Sequence, residues 1–298
     1  MQFSLALLTT LLATLSTAAP IAQEKRDVTI PDWVDGFWGT TYTPFDSSKN
    51  CRSADQIKED ISALSGKFKI LRLYSNDCSV VQYAAESFDG KLFVAVNDIS
   101  SSDAIKGDLD SIDASITAAG KSFNDVVHTV FVGNELVYNS WYTASDVANF
   151  IKEAKSAKSD FTGEWTTGET ASSYYGNPDL CGAVDVVYLN NHPWFDDQTA
   201  ETAGSYVLGH VEAVAAFCSE NGHDVSVKTS ETGWPSAGDD NGPAVASSAN
   251  QETAVGNILK SAGDSSILFS AYNELWKSST ENGGVEQHWG VLGDAPSS

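Results

Sequence analysis

From residue 36 onward the chain alternates between short apolar or β-branched runs and longer stretches with helical periodicity. The extended runs are Phe37–Tyr42, Lys69–Tyr74, Lys91–Val96, His128–Val132, Glu164–Thr167, Asp185–Leu189, Val225–Thr229 and Ile267–Ala271. Between them, Ile105, Leu109, Ile112 and Ile116 recur at i, i+4, i+7 and i+11, which lines one face of a helix. Val147, Phe150, Ile151 and Ala154 form a second such stripe, and Val207, Val211, Val214 and Phe217 a third. Ser53-x-x-Gln56, Thr143-x-x-Asp146 and Ser248-x-x-Gln251 mark helix starts, because a hydroxyl can accept from a free backbone N–H and an acceptor three residues on can return the bond. Strict alternation predicts a parallel sheet with helices outside it. Eight units in about 250 residues fit a closed (β/α)8 TIM barrel better than an open doubly wound sheet. No Gly-Ser or Pro-rich linker divides the body, so residues 27–298 read as one α/β domain.

The segment ahead of this body has a different character. Leu5 to Leu15 is apolar and ends in Ser16-Thr17-Ala18-Ala19, the small residues a signal peptidase accepts. The run is too short to span a bilayer, and no later run reaches the roughly 20 apolar residues a span requires. Residues 1–19 are therefore expected to be a signal peptide, and residues 20–26 a short propeptide ending in the dibasic pair Lys25-Arg26. A secreted protein meets an oxidising compartment, where Cys51, Cys78, Cys181 and Cys218 are expected to form disulfides. Four cysteines allow three pairings. Loop-closure entropy favours the local one, Cys51 with Cys78 and Cys181 with Cys218.

Charge narrows the partners. With 40 acidic against 17 basic residues the net charge is −23, which argues against nucleic acid and against an anionic membrane surface. The histidines show no i, i+4 pair, and none of the cysteines has CxxC spacing, so no metal is implied. Gly120-Lys121-Ser122 lacks the leading glycine of a phosphate loop, Ser115 standing in its place, and no cofactor is implied. A monomer is the expectation.

In a barrel, reactive side chains project from the C-terminal ends of the strands. The fourth run ends in Gly133-Asn134-Glu135, and the seventh leads into Glu231-Thr232-Gly233-Trp234-Pro235-Ser236. Strands four and seven lie on roughly opposite sides of an eight-stranded barrel, so the two Glu side chains can converge over its mouth. Glycosidic cleavage needs such a pair: one carboxyl protonates the leaving oxygen, and the other, ionised, attacks the anomeric carbon or activates water.

Val132-Gly133-Asn134-Glu135 and Glu231-Thr232-Gly233-Trp234-Pro235-Ser236 resemble the two signatures of glycoside hydrolase family 17, the β-1,3-glucanase family. The likeness extends through Gly39–Pro44, Leu71–Tyr74, Asn273–Lys277 and His288–Leu292, and is nearest to the fungal cell-wall mannoprotein branch. The resemblance implies Glu135 as acid/base and Glu231 as nucleophile of a retaining reaction on the β-1,3-glucan of the cell wall. It implies that Asn134 bonds the sugar 2-hydroxyl, that Tyr74 supports Glu231, and that Glu274 and Lys277 lie in the cleft. Lys277 would either favour the ionised nucleophile or simply pair with Glu274. A pyranose stacks its C–H face on flat rings, so Trp234, Trp276 and His192 are the expected sugar contacts. A glucanosyltransferase, or a glucan-binding wall protein with little catalysis, remain alternatives to an endo-glucanase.

Overall fold

The computed structural model describes residues 28–296; the expected signal peptide, the propeptide and Lys25-Arg26 lie outside the described residues. Eight strands pair in parallel in chain order: β1 (Gly39–Thr41), β2 (Ile70–Arg72), β3 (Lys91–Val96), β4 (Val127–Asn134), β5 (Glu164–Glu169), β6 (Val186–Asn190), β7 (Ser226–Thr232) and β8 (Ser266–Leu268). β1 also pairs with β8, Gly39 opposite Ile267, and this closes the barrel. The connecting helices are α1 (Ala54–Leu64), α2 (Val80–Ser87), α3 (Ser102–Ala118), α4 (Phe123–Val126), α5 (Ala144–Ala157), α6 (Ala171–Tyr174), α7 (Pro178–Ala183), α8 (Ala203–Glu220) and α9 (Ser248–Ala262).

Each expected strand is present, and the differences lie at the ends. β4, β5 and β7 run past their apolar stretches to Asn134, Glu169 and Thr232. The backbone ladder continues there although the side chains have turned polar. The helix stripes face the core as their spacing requires: Ile105, Leu109, Ile112 and Ile116 are all buried. Reciprocal capping boxes form at Ser53/Gln56 and Thr143/Asp146. The third cap is Ser247, one residue earlier than expected, and its hydroxyl accepts from the N–H of Asn250. Gln251 instead spends its amide on the carbonyl of Trp234. After β8 a 3-10 turn, Glu281–Gln287, stands where the α-helix of the eighth β/α unit would be.

The barrel interior is filled at its N-terminal end. Ile70, Phe93, Phe131, Val186, Tyr188 and Ile267 form one apolar cluster, and Trp38 stacks on Tyr188 with rings 6.4 Å apart. Each fully buried ring contributes about 2–3 kcal/mol of apolar transfer. This floor confines any ligand to the opposite mouth. Both local disulfides are formed, Cys51–Cys78 and Cys181–Cys218. The first ties the β1–α1 loop to the turn before α2, and the second ties α7 to α8.

Candidate active site

At the mouth four strand ends converge on one polar cluster. Arg72, the last residue of β2, points inward, is 2% exposed, and lies between the rings of Phe131 (4.5 Å) and Tyr74 (4.7 Å). Its Nη1 donates to Glu231 Oε1 at 2.7 Å and to the Ser230 carbonyl at 2.9 Å, and its Nη2 to Asn134 Oδ1 at 2.8 Å. The Tyr74 hydroxyl donates to the same Glu231 oxygen at 2.9 Å. His192 Nε2 lies 3.3 Å from the other oxygen, Oε2. Asn190, at the end of β6, donates through Nδ2 to Glu135 Oε1 at 2.8 Å and to Asn134 Oδ1 at 3.1 Å. Asn134 Oδ1 is thus held by two donors, which leaves its amide hydrogens free for a ligand.

Local backbone features make this convergence possible. Gly133, near the end of β4, has φ +74° and Glu135, just past it, φ +54°, so the chain turns sharply and carries the Glu135 side chain over the mouth. Gly168 faces the cluster from β5. A Cβ there would sit 2.6 Å from Asn134 Oδ1 and 2.9 Å from Arg72 Nη2, so only glycine lets those two groups meet.

The two carboxyls have opposite proton affinities. Burial alone would push Glu231 up, yet the Arg72 guanidinium, His192 and the Tyr74 hydroxyl outweigh it and hold the group at about 2. Glu135 is pushed above the usual carboxylate value by burial and then by the charge of Glu231; Asn190, His192 and Arg72 offset only part of this. One carboxylate is therefore kept ionised beside a carboxyl that retains its proton more readily, the division of labour acid/base chemistry uses. Both Glu231 oxygens face donors, and among the described residues no three His, Cys, Asp or Glu side chains converge as a metal set.

The remaining sequence expectations divide. Glu274 and Lys277 line the same cleft and pair at 2.8 Å, with Glu274 also accepting from the Thr43 hydroxyl at 2.7 Å and Lys277 lying 3.4 Å from Glu286. Trp276 lines the cleft wall, its indole N–H donating to Thr43 Oγ1. His192 lies in the cleft against Glu231, with Trp289 beside it. Trp234 does not belong to this group. It is 0% exposed, its N–H donates to the Val245 carbonyl, and it packs in the core beneath α9. Trp234 lies two residues past the end of β7, where the carbonyl of its own backbone accepts from Gln251 of α9.

Sequence reasoning missed Arg72 and Asn190. The signal for Arg72 was a guanidinium inside the run Lys69–Tyr74, two residues before Tyr74 and hence on the same face. It also missed the exposed rings of the cleft, which has a volume of about 1000 Å³. Trp141 (67% exposed) and Tyr138 (57% exposed) stand on the loop after Glu135, and Phe195 stacks on Trp289 at 5.7 Å.

Comparison with known proteins gives the family and the fold. Residues 39–290 match the BtgE/BtgC glycoside hydrolase domain. The chain is 39% identical over 262 residues to the probable family 17 glucosidase SCW10 of Saccharomyces cerevisiae, covering 86% of this chain and 65% of that one. It is 37% identical to the cell surface mannoprotein MP65 of Candida albicans, over 86% of this chain and 66% of that one. The chain thus spans about two thirds of the length of these relatives. In fold it is similar to the Rhizomucor miehei β-1,3-glucanosyltransferase solved with laminaritriose, at 23% identity and a TM-score of 0.71, covering 89% of this chain and 97% of that one. With the barrel, the paired carboxylates and a matched segment that takes in both, the chain belongs to the BtgE/BtgC glycoside hydrolase domain family, related to glycoside hydrolase family 17.

Proposed function

We propose that the protein is a secreted, retaining glycosidase acting on the β-1,3-glucan of the cell wall, with Glu135 as acid/base and Glu231 as nucleophile. The observation that carries this reading is the pair of carboxyls brought to one cleft, Glu231 bonded by Arg72, Tyr74 and His192 and Glu135 by Asn190, with Glu231 held low and Glu135 raised. In the first step the Glu135 proton passes to the glycosidic oxygen as the C1–O bond breaks and a Glu231 oxygen bonds C1. In the second, water or a sugar hydroxyl attacks C1, releases Glu231 and returns a proton to Glu135. The free amide of Asn134 is suited to the 2-hydroxyl beside the nucleophile, a contact that strengthens as charge develops at C1. Relatives at the cell surface and two formed disulfides support an extracellular setting.

The test is incubation with reduced laminari-oligosaccharides, following product masses over time, for the wild type and for Glu231→Gln. Shorter products alone mean hydrolysis, and longer ones mean transfer to a glucan acceptor through the same intermediate. Glucan turnover that survives Glu231→Gln would overturn the mechanism. A folded wild type that binds laminarin without changing it would favour the wall-binding reading.

A further inference from the structure

Glu169, the last residue of β5, is 0% exposed and does not line the cleft. Its carboxylate nevertheless has three donors, two of them backbone groups just beyond Glu135. Oε1 accepts from the Val137 N–H at 2.9 Å, and Oε2 from the Tyr138 N–H at 3.2 Å and the Ser173 hydroxyl at 2.8 Å. The neighbouring residues of β5 grip the same segment: the Gly168 carbonyl accepts from the Glu135 N–H at 2.7 Å, and the Thr167 hydroxyl reaches the Gly133 carbonyl at 3.4 Å. Between those contacts Glu135 itself sits in the left-handed region, at φ +54°. That conformation is unfavourable for a non-glycine residue and persists only where its surroundings hold it. The turn continues as Asn139 N–H bonds the Glu135 carbonyl at 3.0 Å, so Val137 and Tyr138 present their N–H groups as the open end of a helical turn. An anion is the natural partner for such a pair of donors.

We infer that Glu169 is a positioning residue for Glu135: its buried carboxylate clamps the left-handed turn that aims the Glu135 carboxyl at the leaving oxygen. Burial pushes the Glu169 carboxyl above the usual carboxylate range, its bonds to Val137, Ser173 and Tyr138 offsetting only part of this, and those bonds converge on one turn. Glu169 touches no substrate; it acts through the backbone. This inference rests on the reading of Glu135 as proton donor.

A leaving-group series tests both and separates them. A 2,4-dinitrophenyl β-laminaribioside departs without proton donation, whereas a phenyl laminaribioside requires it. For Glu169→Gln, kcat/KM on the phenyl substrate is expected to fall by about tenfold or more, and on the dinitrophenyl substrate to stay within about twofold. Glu135→Gln should show the same pattern more strongly. Should Glu169→Gln fail to fold, Ser173→Ala removes one of the three bonds and should shift the phenyl-to-dinitrophenyl ratio in the same direction by about two- to fivefold. Equal losses on both substrates for Glu169→Gln, or no loss on either, would overturn the positioning role. If Glu135→Gln itself shows no dependence on leaving group, the assignment of Glu135 fails first and the inference falls with it.

Discussion

Arg72→Met would remove the guanidinium while keeping an unbranched stem between Phe131 and Tyr74. In the wild type Glu231 ionises at about 2 instead of near 4.5, a difference worth about 3 kcal/mol in favour of the anion. Glu231 is 6% exposed, so solvent does little to replace the lost partner. With Arg72 gone, only His192 and Tyr74 are left to offset burial, and the acid limb of kcat/KM against pH should move up from about 2. A group that ionised at its ordinary value of 4.5 would be only about one tenth charged at pH 3.5, so full loss of the depression costs the variant about tenfold between pH 6 and 3.5 from protonation alone. The wild type should lose almost nothing to this group over that range. Stability follows the same sign. A carboxyl depressed by folding adds stability that is full above its unfolded value and is lost as pH falls through the folded one. The variant should therefore be weaker than wild type by about 3 kcal/mol near pH 6, where Glu231 keeps only Tyr74 and His192 as partners, and the gap should narrow towards pH 3 as Glu231 takes up a proton. Aryl laminaribioside kinetics and urea unfolding at several pH values read both quantities. Superimposable acid limbs for the two proteins would refute the claim that Arg72 sets the ionisation of Glu231.

Three further outcomes follow from particular contacts. Trp141→Ala should raise KM about five- to tenfold for long laminari-oligosaccharides and less for short ones, because a ring 67% exposed on the cleft loop can stack only on a chain that reaches it; equal effects at every length would remove it from the binding path. Trp234→Ala should instead lower the unfolding free energy by about 3–5 kcal/mol, measured in urea, since the ring is wholly buried; a KM defect without loss of stability would contradict its place in the core. Replacing Cys51 and Cys78 by serine opens a bridge with a sequence separation of 27 and should cost about 3–4 kcal/mol, and an unchanged denaturation midpoint would mean the loops are held by other contacts.

The architecture was readable because eight buried strands and three long amphipathic stripes each carry a strong periodic signal, as the fully buried row Ile105, Leu109, Ile112 and Ile116 illustrates. The local cysteine pairing was readable because short loops close more easily. The site was harder. Glu135 and Glu231 stood out as strand-end carboxylates, but Arg72 and Asn190 owe their importance to meeting across the barrel, which no local pattern reports. Trp234 misled because nearness in sequence to Glu231 was read as nearness to the cleft, whereas the chain past β7 buries the ring in the core, with its N–H on the Val245 carbonyl. Ser247 and Ser248 are both plausible caps, and hydrogen bonding of Gln251 to Trp234 decides between them.

The spread of the cluster along the chain bears on when the molecule becomes reactive. Arg72 and Glu231 are 159 residues apart in sequence, and Asn190 and Glu135 are 55 apart. The ion pair that keeps Glu231 charged therefore requires β2 and β7 to be seated in one finished ring. A nascent chain still waiting for its last strands, or one clipped ahead of β7, has its acidic groups at ordinary solution values and no opposed pair to act on a glycosidic bond. Reactivity is acquired late and as a unit, so topology itself serves as the interlock on the proposed activity during synthesis.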